Sequence, residues 1–235
     1  PYDRGKVRVL LSLDTSRTNM GVKWIERKDN DFAQAWVKAH GKGRVFYTGF
    51  GHRTEIWWHP VILQFYLDAV QFAVGDLEAP VAPRQSRPDH VAPGPTPPDV
   101  RAARMKARSV PAPSEDQIRQ IEAAAPEAAP AKPAKPRKVL VWGHSWAHQP
   151  NPFAEKALEI LGKKSGAFQA TVTDDPRFLL GDRLPQFDAL VMNNIHEGEP
   201  FLPPDFGRLD AAQKAAAKQL DQAVKASILE YVRGG

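Results

Sequence analysis

The sequence has 235 residues, of which 42% are hydrophobic, and its formal net charge is +5. This size and composition predict one or two domains with a hydrophobic core. The lack of cysteine excludes disulfides, thiolate metal ligands and a cysteine nucleophile within these residues. No apolar run approaches the ~18 residues of a membrane span, so we expect no membrane partner. The first residue is Pro1, which indicates a processed chain or a piece of a longer one.

Residues 1–78 predict two strands and one helix. The strands are expected at residues 6–14, as a buried strand, and at 44–48. Residues 15–41 between them are polar and irregular in pattern. An apolar helix is expected from Pro60 to Gly75, and because it is apolar nearly all round it must lie between other elements.

Proline and charge concentrate in the middle of the chain. Thirteen of the 22 prolines lie between Ala79 and Arg137, with ten Lys or Arg against six Asp or Glu. This span has no aromatic residue, whereas nucleic-acid-binding surfaces combine basic groups with aromatic rings. The composition therefore predicts a disordered Pro/Ala-rich linker over 79–136 and no nucleic-acid partner. Ser114 and Gln117 predict one short helix within it, through a capping box.

Residues 137–235 predict a strand, a loop and a helix, followed by two more strands and a long helix. Apolar runs without alternation are typical of parallel strands that are buried on both faces. The expected class is therefore α/β, with a parallel sheet and helices on both faces. The expected elements are strands at 139–142, 168–173 and 187–192, a helix that Asn151 caps and Gly162 ends, and a long helix that Asp210 caps together with Gln213.

Each of the five predicted strands ends on polar or ionisable groups. If the strands are parallel and share one sheet, these groups meet at its carboxyl edge, where α/β proteins bind ligands. Histidine exchanges protons near neutral pH, carboxylates orient it or bind a metal, and Asn holds a hydroxyl or carbonyl. The alternative is that these are ordinary polar loop residues. The groups are Asp14, His52, His144 with His148, Asp174 with Asp175, and Asn193 and Asn194 with His196.

Narrower chemistries fit the sequence less well. His144 and His148 are four residues apart but lack the H-E-x-x-H glutamate, which disfavours a dedicated zinc site. Ser145 has no G-x-S-x-G context, so a hydrolase nucleophile is not expected. Residues 41–43 lack the rest of a phosphate-binding loop. Trp57 is a candidate for stacking on a sugar ring, with packing at the start of the helix as the alternative.

Two segments resemble the ThuA-like, or trehalose-utilisation, family. Residues 41–48, reading GKGRVFYT, together with Gly51 and His52, resemble the C-terminal part of that family. Residues 138–188 resemble its N-terminal part. The resemblance implies a class I glutamine amidotransferase-like fold, which is a flavodoxin-like parallel sheet with helices on both faces.

The two parts occur in reversed order, and the middle of the family's domain is missing between them. The resemblance therefore assigns 1–78 to the C-terminal part, 79–136 to the linker and 137–235 to the N-terminal part. Two accounts stay open. The chain either joins pieces of two tandem domains of a larger parent protein, or it is a permuted and shortened single domain.

The resemblance implies a role in bacterial metabolism of disaccharides such as trehalose, at the level of 3-keto sugars. In the enzyme interpretation His52 or His148 accepts a proton beside a ketone, Asp175 orients the histidine, and Asn193 holds a hydroxyl. A divalent metal that polarises the carbonyl is an open alternative, and no cofactor is assigned. The other residues expected to contact the sugar are Asn194, His144, His196 and Trp57; of these, His144 has no clear counterpart in the family.

The second interpretation is a sugar-binding or scaffold module without catalysis, or an inactive fragment of a tandem-domain protein. In that case the linker tethers it to further domains of the same parent chain. In both interpretations the partner is a small carbohydrate. The compartment is open between bacterial cytoplasm and periplasm.

Overall fold

The computed structural model divides into two compact units. The first comprises Pro1–Ala39, Val45–Phe50 and Ala79–Lys106, and the second His40–Arg44, Gly51–Glu78 and Ala107–Gly235. The residues it describes are 2–23, 25–27, 29–84, 111–143, 149–195, 200–203 and 205–235. Most of the predicted linker before residue 111, and the histidine loops at 144–148 and 196–199, lie outside these ranges.

The first unit holds most of a three-stranded sheet in the order β1–β2–β3. β1 spans Arg8–Ser12, β2 spans Ala33–His40 and β3 spans Gly43–Thr48. β1 pairs antiparallel with β2. The predicted strand at 6–14 is confirmed in position, but its predicted burial is wrong, since Leu10 and Leu11 are each 41% exposed.

Strand β2 lies in a stretch that was expected to be irregular, and that expectation is wrong for residues 33–40. The strand alternates, with Ala35 and Val37 buried. Trp36 points to the other face, where its ring stacks on that of Tyr47 with centroids 5.1 Å apart. Ala and Lys, which are depleted in strands, occupy half of β2 and conceal this alternation.

The second unit is built on a parallel sheet. β4 (Lys138–Gly143) lies between β5 (Gln169–Thr173) and β6 (Ala189–Asn193), and both neighbours run parallel to it. The expectation that all five predicted strands end at one shared edge is therefore wrong, because β1 and β3 belong to the other sheet. Every side chain from Val139 to Trp142 is at most 1% exposed, as expected for a strand covered on both faces.

Four helices are described, and all belong to the second unit. They are α1 (Pro60–Val74), α2 (Glu115–Ala124), α3 (Asn151–Ser165) and α4 (Ala211–Gly234). Val139 and Val141 share a core with α1, α2 and α3, while Leu140 and Trp142 share a separate core with α4. Helices thus cover both faces of the sheet, which confirms the predicted α/β class. None of the described helices combines the length and apolar character needed to cross a membrane.

Helix α3 continues past the predicted stop at Gly162, so that prediction is wrong. A Cβ at Gly162 would lie 2.5 Å from the backbone oxygen of Phe168. The glycine is required by this close approach of two backbones. The helix ends instead at Gly166, whose φ of 68° is the left-handed conformation of a typical C-terminal glycine.

Helix α2 packs into the core, although it lies within the predicted linker. The Ser114–Gln117 capping box is confirmed. Ile121 is buried in the same core as α1 and α3. Gln71 of α1 exchanges two hydrogen bonds with the backbone of Ala131, donating through Nε2 at 2.6 Å and accepting through Oε1 at 3.0 Å. The chain between α2 and β4 is thereby held against α1.

Arg137, Asp76 and Asp188 form an ion triad just before the sheet begins. Nε of Arg137 donates to Oδ2 of Asp76 at 3.0 Å, and its Nη1 donates to Oδ1 of Asp188 at 3.3 Å. The Asp76 side chain is fully buried. The hydrogen bonds from Arg137 hold the pKa of Asp76 below its ordinary value. The triad therefore joins the end of α1 to the starts of β4 and β6 by charges that are costly to leave unpaired.

We expect Asp76→Asn to lower the free energy of unfolding by about 3–5 kcal/mol at neutral pH, because it breaks a buried pair. The depressed pKa means that the stabilisation is present above the ordinary value of 3.8 and is lost as pH falls through the folded-state pKa. The difference from wild type should therefore shrink in acid. Denaturant titration over a pH series measures this. Glu78→Ala, at an exposed carboxylate paired with Arg44, is the control and should change little. Equal losses for both variants would contradict the structural role of the triad.

The turn between β2 and β3 contacts the end of α4. The backbone N–H of Lys42 donates to the carbonyl of Arg233 at 3.0 Å, which satisfies one of the free carbonyls of the last helical turn. A Cβ at Gly43 would lie 2.0 Å from the carbonyl oxygen of Val232. Gly41 has a φ of 64°, and a Cβ there would lie 2.6 Å from the carbonyl oxygen of Arg233. The two glycines of the GKGR segment therefore allow this turn, which belongs to the second unit, to approach the helix backbone.

We expect Gly43→Ala to cost about 1–3 kcal/mol, since the added methyl must displace the end of α4. Gly207→Ala is the matched control, because no atom lies within 4 Å of a Cβ built there. Thermal unfolding of the two variants measures the difference. A Gly43→Ala protein as stable as the control would show that the hairpin does not need this contact.

Candidate functional site

Polar side chains gather where β4 and β6 end, at the carboxyl edge of the parallel sheet. Gly143 and Asn193 are paired at the last position of the two strands. Helix α3 follows β4 along the chain and carries Asn151 and Glu155 in its first turns. Together with Asn194 these five residues form what we call the amide cluster.

The amide cluster is held by hydrogen bonds between β6 and the start of α3. Nδ2 of Asn193 donates to the backbone oxygen of Asn151 at 3.2 Å, and Nδ2 of Asn194 donates to Oδ1 of Asn151 at 3.0 Å. Asn151 was expected to cap α3, which is wrong. Pro150 holds the cap position, and Asn151 is the buried first residue of the helix. Asn194 has a φ of 56°, a conformation that asparagine tolerates better than most residues.

Gly143 leaves space for the carboxyl group of Glu155. A Cβ at Gly143 would lie 2.1 Å from Oε1 of Glu155 and 3.3 Å from Nδ2 of Asn193. That nitrogen is 3.5 Å from the same carboxyl oxygen. A side chain at position 143 would therefore displace both groups, and the carboxyl would no longer lie against the end of β4.

The surroundings of Glu155 favour its neutral form. Burial raises the pKa of Glu155 above its ordinary value of 4.5, and the negative charges of Asp174 and Glu159 raise it further. The amide of Asn193 acts in the opposite direction, because it donates to the carboxylate. A partly buried carboxyl group with a raised pKa is typical of proton-transfer sites, although structural networks also produce such shifts.

The sequence pattern did not indicate Glu155, because this residue lies inside helix α3 and not in a loop that follows a strand. The available signal was its spacing. It lies one helical turn after Asn151 and next to Ala154 and Leu158, which face the sheet. When a helix follows a parallel strand, its first turns lie near the carboxyl end of that strand. A polar residue in these turns, beside the buried face of the helix, is therefore a candidate site residue at the carboxyl edge of the sheet.

His52 lies in the second unit, in an exposed segment that leads to the 3₁₀ turn Thr54–Trp58. This turn packs on the start of α3, where the ring of Trp58 is 6.1 Å from that of Phe153. His52 is thus carried by a segment that contacts the helix of the amide cluster. Its predicted proton-transfer role stays a prediction.

Trp57 is only 3% exposed and belongs to the core beneath α1. Its Nε1 donates to the backbone oxygen of Gly51 at 3.3 Å, and its ring lies 4.7 Å from that of Tyr66. This placement favours the packing role over stacking on a sugar ring.

Asp175 follows β5 and caps the 3₁₀ turn Pro176–Leu179. Both of its carboxylate oxygens accept hydrogen bonds from the guanidinium of Arg177. These bonds lower the pKa of Asp175 to about 2, so it is ionised at neutral pH. A histidine that Asp175 orients would have to share it with Arg177.

His144, His148 and His196 lie outside the described residues, so their predicted roles stay predictions. Within the described ranges, no group of three or more His, Asp or Glu is placed to hold a metal ion.

A cleft of about 630 Å³ lies at the opposite, amino edge of the parallel sheet. Three of the basic side chains that line it, Arg44, Lys135 and Arg137, serve local contacts. Arg44 donates to Glu78 and to the carbonyl of Leu77 at the end of α1, while Lys135 and Arg137 pair with Asp188. Because these three charges are neutralised within the protein, the carboxyl edge is the better candidate for a ligand site.

The second unit defines an α/β protein with a parallel sheet and a polar cluster at its carboxyl edge. Residues 1–73 match the family model described as ThuA: Trehalose utilisation. The match includes the GKGRVFYT segment and His52, so the predicted resemblance is confirmed over these residues, and it supports a function related to trehalose utilisation in general. No curated protein and no solved structure matches the chain. The resemblance of 138–188 and the reversed order stay predictions.

We expect Trp57→Ala to lower the free energy of unfolding by about 3–5 kcal/mol, because it empties a buried aromatic site. Val61→Ala, at a side chain that is 69% exposed on the adjoining helix, should have little effect. Chemical denaturation measures both. A Trp57→Ala protein of normal stability that fails to bind sugar would show instead that the ring contacts the ligand.

Proposed function

We propose that the protein binds and processes a sugar derived from a disaccharide such as trehalose, at the carboxyl edge of β4 and β6. The match of residues 1–73 to the trehalose-utilisation family carries the substrate class. The amide cluster supports the location, because fixed amide groups suit the hydroxyl and carbonyl oxygens of a neutral sugar.

The strand order supports this location and a flavodoxin-like sheet. Along the chain, β4 is the first strand, β5 the second and β6 the third, and their spatial order is second, first, third. Flavodoxin-like sheets begin in this order and bind their ligand where the order reverses, between the first and third strands. Gly143 and Asn193 pair at that point.

We further propose that the chain is a permuted single domain rather than pieces of two tandem domains. Leu63 and Leu67 of α1, which lie in the family-matched residues, are buried in the core of the sheet formed by β4, β5 and β6. The Arg137 triad adds a buried polar connection between the same two parts. Two independent pieces would not need to share a core and a buried ion network.

For catalysis, we propose that His52 or His148 accepts a proton from the carbon beside the carbonyl of an oxidised sugar, while Asn193 holds a hydroxyl. Asp175 is the weaker part of this assignment, because Arg177 occupies both of its oxygens. A divalent metal that polarises the carbonyl would serve the same purpose.

The test combines sugar binding by calorimetry with turnover of a 3-keto-glucoside. Asn193→Ala should weaken binding about tenfold, which corresponds to one lost hydrogen bond to the ligand. Replacing His52 and His148 together by Ala should lower the rate at least ~100-fold with little change in binding. His59→Ala is the control, since His59 is exposed and makes no side-chain capping bond.

Binding without turnover in the wild-type protein would favour the sugar-binding module over the enzyme. Absence of binding to trehalose, glucose and their 3-keto derivatives would contradict the proposal as a whole. An unchanged rate in the double histidine variant would contradict the histidine assignment alone.

A further inference from the structure

Glu155 is the one acidic member of the amide cluster, and the local charges around it are negative. Asp174 lies at the end of β5, and Glu159 lies one turn further along α3. Within the described ranges no cation pairs with Glu155, since the neighbouring Lys156 pairs with Glu159. Glu155 is also the fifth residue of α3, beyond the first turn where the helix dipole stabilises a negative charge. The surroundings therefore contribute little electrostatic stabilisation to the ionised form of Glu155.

The geometry brings this carboxyl to the edge where β4 and β6 end. The missing side chain at Gly143 lets Oε1 lie against the strand end, and Nδ2 of Asn193 is 3.5 Å away. The carboxyl and the amide are therefore adjacent polar groups, held by α3 and β6. Since both elements are rigid, a ligand oxygen at this edge could contact the two groups together.

We propose that Glu155 is the proton donor of the sugar site, where its carboxyl group lies beside the Asn193 amide and hydrogen-bonds to the carbonyl oxygen of the bound sugar. The ligand class is a neutral sugar that carries a ketone or aldehyde. This inference rests on the proposed function, because it places Glu155 at the same site and adds the acid that the histidine base requires.

The proposed step is the enolisation of the sugar carbonyl. The histidine takes the proton from the adjacent carbon, and the C–H electron pair forms a C=C bond. The electron pair of the C=O π bond moves to the oxygen, which takes the proton of Glu155 to give an enol. The carboxylate that remains regains its proton when the enol collapses or from water. A carboxyl group whose pKa is raised towards the operating pH is suited to this transfer.

The variant for the test is Glu155→Gln, which keeps the size and the hydrogen-bond donor but cannot transfer a proton. We expect 3-keto-glucoside binding to persist and turnover to fall ~100-fold or more. In the wild-type protein, binding should weaken as pH rises and Glu155 ionises, whereas the variant should bind independently of pH. Glu159→Gln, at the neighbouring carboxylate paired with Lys156, is the matched control and should keep the wild-type profile.

Two readouts need no ligand. Carboxyl ¹³C NMR of Glu-labelled protein should show one titration midpoint above the ordinary 4.5, and Glu155→Gln should remove it. Because the folded state then binds the proton more tightly than the unfolded state, the free energy of unfolding should decline as pH rises from 4.5 through that midpoint. The variant should lack this decline.

A midpoint at the ordinary value, or a Glu155→Gln variant with wild-type turnover, overturns the donor role while leaving the proposed function intact. Failure of every sugar to bind the wild-type protein overturns the proposed function, and the donor role with it. A variant that has lost binding as well as turnover also overturns the donor role, because the glutamine retains the shape and hydrogen bond of the neutral acid.

Discussion

The two-sided burial of β4 is the constraint on which the second unit depends. A strand with no exposed face needs a layer of helices on each side, and its flanking strands cannot supply them. The chain before β4 contributes α1 and α2 to one side, and the chain after it contributes α3 to that side and α4 to the other. Segments that differ widely in composition therefore build the two cores that cover the faces of β4.

Hydrogen bonds and ion pairs at the two ends of the parallel sheet also hold the helices against its strands. Arg137 connects the end of α1 to the starts of two strands, and the glycine-bounded hairpin at 41–43 meets the last turn of α4. At the other end of the sheet, Asn151 holds the amides that follow β6. The structural contacts thus concentrate at the amino edge, which leaves the carboxyl edge for the candidate site.

Elements with strong local signals were predicted well from the sequence. Pro60 and Gly75 bound α1 as expected, and capping boxes correctly placed the starts of α2 and α4. Predictions failed where a distant contact decides the outcome. Gly162 is a glycine because Phe168 approaches it, not because the helix ends there. The local sequence pattern also does not show the direction of a strand or the sheet to which it belongs. For this reason β1 and β3 were wrongly predicted to end at the same sheet edge as the other strands. The site was partly predicted through Asn193 and Asn194, whereas Glu155 became evident only when α3 was seen against β4.

The position of the Arg137 triad along the chain has a consequence for how the protein folds. Asp76 and Arg137 are 61 residues apart, so their contact closes a long loop, whereas β4, α3 and β5 are consecutive. The entropy lost on closing a loop grows with its length, and local contacts form with less of that loss. We therefore expect the consecutive β-α-β segment to form first, and α1 to dock onto it in a later step that the contact of Asp76 with Arg137 completes.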